Sequence, residues 1–317
     1  MKNIIKRAAA LLLAVLVLSA SAFAASLILT EEPVKLTIHC EADEKALSGV
    51  TFELFRVADV DARCNFTLTE AFAACPVDLS PKDTAEGWDG IAEVVKGFVL
   101  SNSVTAIASG KTNEDGDLVL EGLQTGLYLL TGTSVRQGSY VYTPDAAMIA
   151  LPVIGQETAD WTYDVTVEPK FSSTSYNPGG GHSSKVTVKV LKVWDDGEDA
   201  DRPRSVTMKL LRNGEKYDSV VLDEGSDWRH TWNNLSEYTG SKRNDWTVVE
   251  VPVDGYTVQM ERSGVTLTVT NTAKEQEKPV LPEELPSTGQ LWWPAPVLLS
   301  LGLVCVLIGL LRRRKQA

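Results

Sequence analysis

The sequence is poor in the residues that most catalytic sites require. It contains three histidines, His39, His182 and His230, which are scattered and give no metal-binding or nucleophile–base spacing. It also lacks a glycine-rich motif of the kind that cradles nucleotide phosphates. Basic residues are outnumbered, with 30 Lys and Arg against 42 Asp and Glu and a net charge of −12, so the surface should repel nucleic acid. These absences predict a protein that is not an enzyme and has no metal, cofactor or nucleic-acid partner.

Cysteine is also scarce, with four residues in the chain. Cys305 lies in an apolar run near the C-terminus, which leaves Cys40, Cys64 and Cys75 for a disulfide outside the cell. Three cysteines can form one bond at most, in three alternative pairings. We favour Cys64–Cys75 because these two flank the short segment 65–74. A bond there would stabilise the fold by about 3 kcal/mol in the chain-entropy description.

The N-terminus has the pattern of a secretory signal peptide. Basic residues precede an apolar stretch at 8–18, which is too short to span a bilayer. A small-residue A-x-A site follows and ends at Ala24. We therefore expect residues 1–24 to be removed on export.

The C-terminus has the pattern of a surface anchor. An apolar run at 291–311 is long enough for a transmembrane helix, and the basic tail at 312–317 marks its cytoplasmic side. Directly before the run stand Leu285, Pro286, Ser287, Thr288 and Gly289. An L-P-x-T-G sequence in this place resembles the sorting signal of Gram-positive surface proteins. A sortase cleaves that signal between threonine and glycine, here Thr288 and Gly289. The alternative is a single-pass membrane anchor with a chance pentapeptide.

The segment between the two ends has room for two domains, and its patterns predict an all-β fold. In the first block, 25–172, alternating apolar residues predict strands around 36–40, 50–54, 118–120 and 128–130. One helix should interrupt these strands and pack over a sheet, with Asp83 or Thr84 as its N-cap. Its apolar stripe consists of Ile91, Val94, Val95, Phe98 and Val99.

Three further segments complete the predicted organisation. A Ser- and Gly-rich stretch at 173–184 has the composition of a linker. A second all-β block covers 185–273. The charged, proline-rich segment 274–290 should be extended and expose the pentapeptide to an enzyme. The expected fold class is two Ig-like or transthyretin-like β-sandwiches in tandem, the first with a helical insertion.

Strand alternation in the second block places three polar residues on apolar faces. Lys192 falls in the apolar stripe of the first strand, Glu250 in that of a third strand and Asn271 in that of the last strand. A lone buried charge is costly, so these groups must meet partners or reach water. Burial should lower the pKa of the lysine and raise that of the glutamate. A neutral Lys192 amine could then attack the Asn271 side-chain carbonyl, with protonated Glu250 as the acid, to form an isopeptide bond and release ammonia.

The residues around this triad carry a family resemblance. The block resembles a Cna protein B-type domain in Lys192-Val193-Trp194-Asp195-Asp196, in Arg202-Pro203, in Glu250 before Val253-Asp254-Gly255-Tyr256, and in Thr270-Asn271-Thr272. The resemblance implies an intramolecular Lys192–Asn271 isopeptide bond with Glu250 as its catalytic acid. The alternative is a plain β-sandwich in which these groups reach water near the strand ends.

The acidic segment 195–201 offers two interpretations. Clustered carboxylates could bind calcium, but their spacing lacks the full calcium-loop pattern. We expect a solvated acidic loop and no metal site.

The end of the first block contains a second recognisable motif. The segment from Trp161 to Lys170 resembles the pilin motif W-x-x-x-V-x-V-Y-P-K of sortase-assembled, SpaA-like backbone pilins, with Glu168 in place of tyrosine. Strand alternation puts Lys170 on the solvent face, and Pro169 should end the strand. The resemblance implies that Lys170 joins Thr288 of another copy. The alternative is an ordinary exposed lysine.

The first block has no counterpart of the triad. Its first strand turns Leu36, Ile38 and Cys40 inward and Lys35 outward, and its last strand has no asparagine. We therefore predict no isopeptide bond there.

Together these observations predict a secreted structural subunit of a covalent Gram-positive pilus. The precursor would be held in the membrane by its C-terminal helix and then anchored to peptidoglycan. Its partners would be a sortase, other copies of itself, and ancillary pilins or a host ligand. The alternative function is a monomeric wall-anchored adhesin or an ancillary pilin that binds a host ligand.

Overall fold

The computed structural model describes residues 27–80, 85–155, 160–175, 184–197, 202–239 and 242–274. The first block contains one α-helix, α1 (Ala85–Asn102), and fifteen strands within these ranges. The strands are β1 (Val34–His39), β2 (Glu41–Ala42), β3 (Lys45–Ala46), β4 (Thr51–Val60), β5 (Phe66–Leu68), β6 (Ala108–Lys111), β7 (Asp117–Leu123), β8 (Gly126–Gly132), β9 (Val135–Gln137), β10 (Tyr140–Pro144), β11 (Ala147–Leu151), β12 (Val153–Ile154), β13 (Trp161–Thr162), β14 (Asp164–Val167) and β15 (Phe171–Ser175).

The first block is a β-sandwich. A three-stranded sheet, β14-β1-β7, packs against a five-stranded sheet, β11-β8-β4-β5 with β6 on β4. The alternation predicted for the first strand is confirmed, because Leu36, Ile38 and Cys40 are fully buried. Phe52 and Tyr128, from the opposite sheet, belong to the same apolar core.

The second block is a smaller β-sandwich. Its strands are β16 (Lys185–Asp195), β17 (Ser205–Arg212), β18 (Glu215–Asp223), β19 (Arg229–Ser236), β20 (Tyr238–Thr239), β21 (Lys242–Arg243), β22 (Trp246–Glu250), β23 (Tyr256–Ser263) and β24 (Thr266–Ala273). One sheet has the order β19-β16-β24-β23 and the other the order β18-β17-β22. The core between them includes Val190 and Leu267 from the first sheet and Met208 and Val248 from the second.

Helix α1 has the predicted apolar stripe, but it packs against both blocks. Ile91 and Val95 are buried in a core cluster that also contains Phe55 of the first block and Met260 of the second. The helix therefore covers the outer face of the five-stranded sheet and supports the second sandwich at the same time. The apolar stripe indicated a buried face, but it could not indicate that two different sheets bury it. The two cap candidates, Asp83 and Thr84, lie outside the described residues.

Two glycines of α1 allow the close approach to the second block. A Cβ on Gly90 would lie 2.7 Å from the backbone oxygen of Met260, and one on Gly97 would lie 2.8 Å from Val249 Cγ2. Both distances are too short for a side chain, so only glycine lets the helix backbone lie this close. An ion pair between Lys96 Nζ and Asp245 Oδ2, at 2.9 Å, also joins α1 to the second block.

The structure corrects two expectations from the sequence. The predicted disulfide between Cys64 and Cys75 does not form, and Cys40 is also free. Closeness in sequence does not bring these two thiols together, because Cys75 is buried in the core beside α1 whereas Cys64 is exposed in a turn. In addition, the segment 173–184, which was predicted to be a linker, begins inside strand β15. This strand pairs with β10 in antiparallel register.

The predicted signal peptide and the predicted membrane span at 291–311 lie outside the described residues. Among the residues that the structure does describe, no helix has the length and hydropathy needed to cross a membrane.

Candidate functional site

The three polar residues predicted to face the core of the second block do so. Lys192 on β16, Glu250 on β22 and Asn271 on β24 retain exposures of 3%, 6% and 0%. Strands β16 and β24 are parallel neighbours, with Lys192 opposite Val269 and Trp194 opposite Asn271. Glu250 belongs to the facing sheet. The sandwich thus brings an amine, a carboxamide and a carboxyl group into one apolar core.

Hydrogen bonding leaves most of this group unsatisfied. Lys192 Nζ donates to the backbone oxygens of Val193, at 2.6 Å, and Val269, at 3.4 Å. Both side-chain oxygens of Glu250 and both polar side-chain atoms of Asn271 are buried without a hydrogen bond of standard geometry to the described residues. Buried polar groups are usually paired, because an unpaired one costs about 1–3 kcal/mol. Such a cluster therefore requires an explanation, and a reaction between its members is one.

Burial shifts the pKa of each ionisable group towards its neutral form. Burial lowers the pKa of Lys192 to about 8, against the opposing charges of Glu250 and Asp196 and with the help of the Arg202 charge. Burial also raises the pKa of Glu250 to about 7, although Lys192 and a weak contact with Asn271 act in the opposite direction. Both directions agree with the sequence prediction. Near neutral pH the core therefore contains a fraction of free amine and a fraction of protonated carboxyl, which are the forms that an amine–amide exchange requires.

Aromatic rings surround the amine. Lys192 Nζ lies 4.1 Å from the centroid of the Trp194 ring, at cation–π distance. Trp194 in turn makes edge contacts with Trp228, at 5.4 Å, and Tyr256, at 5.1 Å. Lys192 lies beside this aromatic cluster and is 3% exposed.

The acidic segment at 195–201 differs from the solvated loop that we expected. The Asp196 side chain is 1% exposed and forms a 2.6 Å ion pair with Arg202. The pairing was not foreseen because the spacing of acidic residues does not reveal where a later arginine folds back. Within the described part of the chain, no group of three or more His, Cys, Asp or Glu side chains is placed to hold a metal ion, and residues 198–201 lie outside that part.

Lys170 lies at the surface of the first block, as its strand parity predicted. It follows β14, which ends at Val167, and precedes β15. Its side chain is 67% exposed, and Nζ donates to Asp89 Oδ2 on α1 at 3.0 Å. Its backbone oxygen accepts a hydrogen bond from the Asp145 amide at 2.9 Å. The amine is therefore accessible on a well-fixed backbone. The sorting sequence Leu285, Pro286, Ser287, Thr288 and Gly289 lies outside the described residues.

Comparison with known proteins supports the assignment of the second block. Residues 188–272 match the model of the Cna protein B-type domain. An alignment over 143 residues is 30% identical to the collagen adhesin of Staphylococcus aureus and covers 43% of this chain and 12% of that protein. The match therefore spans about an eighth of the length of this relative.

Several solved structures show similarity at low TM-scores. A single B repeat unit of the collagen-binding surface protein of Staphylococcus aureus is 16% identical over 77% of this chain and 98% of that one, with a TM-score of 0.27. The full-length major pilin SpaD of Corynebacterium diphtheriae is 13% identical over 78% of this chain and 99% of that one, with a TM-score of 0.29. The shaft pilin SpaA of Lactobacillus rhamnosus GG is 16% identical over 77% of this chain and 98% of that one, with a TM-score of 0.25. The sequence match and the triad together identify the second block as a Cna protein B-type domain.

Proposed function

We propose that this protein is a structural subunit of a covalently assembled surface fibre of the pilin type, strengthened by an isopeptide bond between Lys192 and Asn271. The observation that carries the proposal is the buried group of Lys192, Asn271 and Glu250 in the second sandwich. No turnover is involved, because the bond forms once within each chain.

The bond would form by an amine–amide exchange. Neutral Lys192 Nζ attacks Asn271 Cγ while the Glu250 carboxyl protonates the amide and then recovers a proton from the attacking nitrogen. The C–N bond to Asn271 Nδ2 breaks, one ammonia leaves, and Glu250 ends as it began. The fixed contact between neighbouring strands replaces a bimolecular encounter, which supplies a large effective concentration. The product would tie β16 to β24.

Assembly between subunits would use the two surface motifs. A sortase cysteine would attack the Thr288 carbonyl and release the Gly289 amine, leaving a thioester. The Lys170 amine of another copy would then attack the thioester, form an amide and release the enzyme thiolate. The exposure of Lys170 on a fixed backbone supports this role. A final subunit would be transferred to peptidoglycan instead.

Two experiments test the proposal. Intact-mass analysis of the folded protein should show a deficit of one ammonia that Lys192→Ala abolishes. A full mass in the wild-type protein would contradict the intramolecular bond. Immunoblots of detergent-boiled wall extracts should show a high-mass ladder that collapses in Lys170→Ala, while the exposed Lys189→Ala should preserve it.

A monomeric wall-anchored adhesin is the second candidate. Two observations favour it: the relative at 30% identity is named a collagen adhesin, and Glu168 replaces the tyrosine of the pilin motif. A single wall-linked band in the same blot, unchanged by Lys170→Ala, would establish this candidate over the pilin.

A further inference from the structure

The buried carboxylate of Asp196 joins three separate segments of the second block. It follows β16 directly, and its side chain is 1% exposed. Oδ1 accepts a hydrogen bond from Arg202 Nη2 at 2.6 Å, and Oδ2 accepts one from Tyr256 Oη at 3.0 Å. Arg202 Nη2 also donates to the backbone oxygen of Gly197 at 3.2 Å. Since a buried charge is costly without partners, these pairings make the arrangement stable.

Two of the three segments connect to the strands that carry Lys192 and Asn271. Asp196 directly follows the last residue of β16 and is four positions beyond Lys192. Tyr256 begins β23, whose Val258 lies opposite Asn271 of β24. The Asp196 carboxylate therefore connects the end of the lysine strand to the strand that flanks the asparagine strand.

The two partners of Asp196 also lie against the aromatic ring beside the amine. The Tyr256 ring makes an edge contact with Trp194 at 5.1 Å, and the Arg202 guanidinium lies 5.8 Å from the Trp194 centroid. Lys192 Nζ lies 4.1 Å from that centroid. Trp194 thus lies between the Asp196 pairings and the lysine, which is itself 3% exposed.

We propose that Asp196, Arg202 and Tyr256 form a latch that holds Trp194 over Lys192, closes this end of the sandwich to water and thereby accelerates the Lys192–Asn271 bond. The inference rests on the proposed isopeptide bond. The three residues are positioning residues, because Lys192, Asn271 and Glu250 supply every atom that reacts. Their effect comes from exclusion of water and from a fixed approach of amine to amide, and small displacements of such geometry reduce rates strongly.

The test compares rates of ammonia loss in the full-length chain. The chain is synthesised in a cell-free reaction, quenched in denaturant at timed intervals and analysed by intact mass. Asp196→Asn keeps the side-chain shape but loses the charge-assisted pairing with Arg202, so ammonia loss should slow by roughly tenfold to a hundredfold. Asp218→Asn is the matched control. Asp218 accepts a hydrogen bond from Trp232 Nε1 at 2.8 Å in the same block, and its variant should react at the wild-type rate.

Two further variants separate positioning from folding. Tyr256→Phe keeps the ring and removes only the hydroxyl, and it should also slow the reaction. Neither Lys192→Ala nor the double variant Lys192→Ala with Asp196→Asn can form the bond. Comparing their folded fractions therefore shows how much Asp196→Asn affects folding alone. A slowing that exceeds any loss of folded protein supports the latch, whereas a slowing that only matches that loss contradicts it.

The remaining outcomes are equally decisive. If wild-type chain never loses ammonia, the isopeptide bond itself is wrong and the latch with it. If wild type reacts while Asp196→Asn and Tyr256→Phe react equally fast, the bond stands and the latch is wrong.

Discussion

Each sandwich pairs its first strand with a parallel strand from near the end of the block, but the two sandwiches bury different residues along these strands. In the first block, β1 and β14 are parallel neighbours, with Leu36 opposite Val165 and Ile38 opposite Val167. In the second, β16 and β24 are parallel neighbours that bury Lys192 and Asn271. The parallel pairing is common to both blocks. The difference lies in the residues on the inner face, which are apolar in the first block and include Lys192 and Asn271 in the second.

The position of one lysine relative to the strand face makes the contrast clear. Lys35 of β1 points outward and forms a 2.8 Å ion pair with Asp164 across the strand pair, with both side chains well exposed. The hydrogen bond and charge of Asp164 raise the pKa of Lys35, whereas burial lowers the pKa of Lys192. The outward lysine is kept charged, whereas burial makes the inward lysine easier to deprotonate.

The difference also fits the proposed fibre. In a polymer joined from Thr288 to Lys170, tension would pass through β15 and the second block, while the strands before Lys170 would lie outside the covalent path. A Lys192–Asn271 bond would reinforce the block that the tension must cross. A first block that extends before an unlinked Lys192→Ala second block in single-molecule pulling would contradict this load path.

The largest predicted effect is the loss of the bond in Lys192→Ala. The bond would close a loop of about 80 residues, which a chain-entropy description values at about 4–5 kcal/mol of unfolding free energy. We expect thermal unfolding of the second block to shift down strongly, as measured by calorimetry. Lys189→Ala, on the exposed face of the same strand, is the control and should keep both the ammonia deficit and the unfolding temperature. Equal stability of the two variants would contradict the prediction.

The next effect is a pH dependence in a chain that cannot form the bond, such as Asn271→Ala. The pKa of Glu250 is raised from 4.5 to about 7, so stability should fall as pH rises between these values. The pKa of Lys192 is lowered from 10.5 to about 8, so stability should rise again between pH 8 and 10.5. The free energy of unfolding, measured in urea, should therefore have a minimum near pH 7–8 and be higher by a few kcal/mol at pH 4.5 and at pH 10.5.

Adding Glu250→Gln to that variant should remove the fall in stability between pH 4.5 and 7 and preserve the rise between pH 8 and 10.5. An unchanged fall in stability between pH 4.5 and 7 would show that another group is responsible. Among its described residues the first block buries no acidic or basic residue, so the minimum should come from the second block.

A smaller effect should follow from filling the contact between α1 and the second block. A methyl group in Gly90→Ala would meet the Met260 backbone oxygen at 2.7 Å. Overpacking of this kind costs about 1–3 kcal/mol, of which helix propensity would return up to about 1 kcal/mol. We expect one cooperative calorimetric transition to separate into two. Ser101→Ala, at an exposed helix position, is the control and should leave a single transition. A single transition in Gly90→Ala as well would contradict the prediction.

The smallest effect should come from Lys35→Ala. Exposed ion pairs contribute little to stability, so its unfolding midpoint and its mass should match those of the wild-type protein. A large loss of stability would mean that the outward lysine of the first block has a structural role like that of the inward lysine of the second.

The sequence predicted the buried triad but not its surroundings. Period-two alternation is enough to place Lys192, Glu250 and Asn271 on inner faces, because a strand has only two faces. The same rule placed Lys170 correctly at the surface. It could not predict that Asp196 is buried, because that depends on Arg202 and Tyr256, which are brought to it by tertiary contacts.

The role of α1 shows the same limit. Its apolar stripe predicted a helix with a buried face, but the glycines at 90 and 97 indicated nothing about the second block until the fold was known. The cysteine assignment failed for a related reason. Short sequence separation of Cys64 and Cys75 says little when one side chain enters the core and the other remains in a turn.

The most direct test of the account is a protease digest of the folded protein followed by tandem mass spectrometry. We predict one branched peptide in which Lys192 Nζ is joined to Asn271 Cγ with the loss of one ammonia. It should be absent in Lys192→Ala and strongly reduced in Glu250→Gln, and no branched peptide should involve Lys35. Recovery of two linear peptides with intact Lys192 and Asn271 side chains from the wild-type protein would contradict the account.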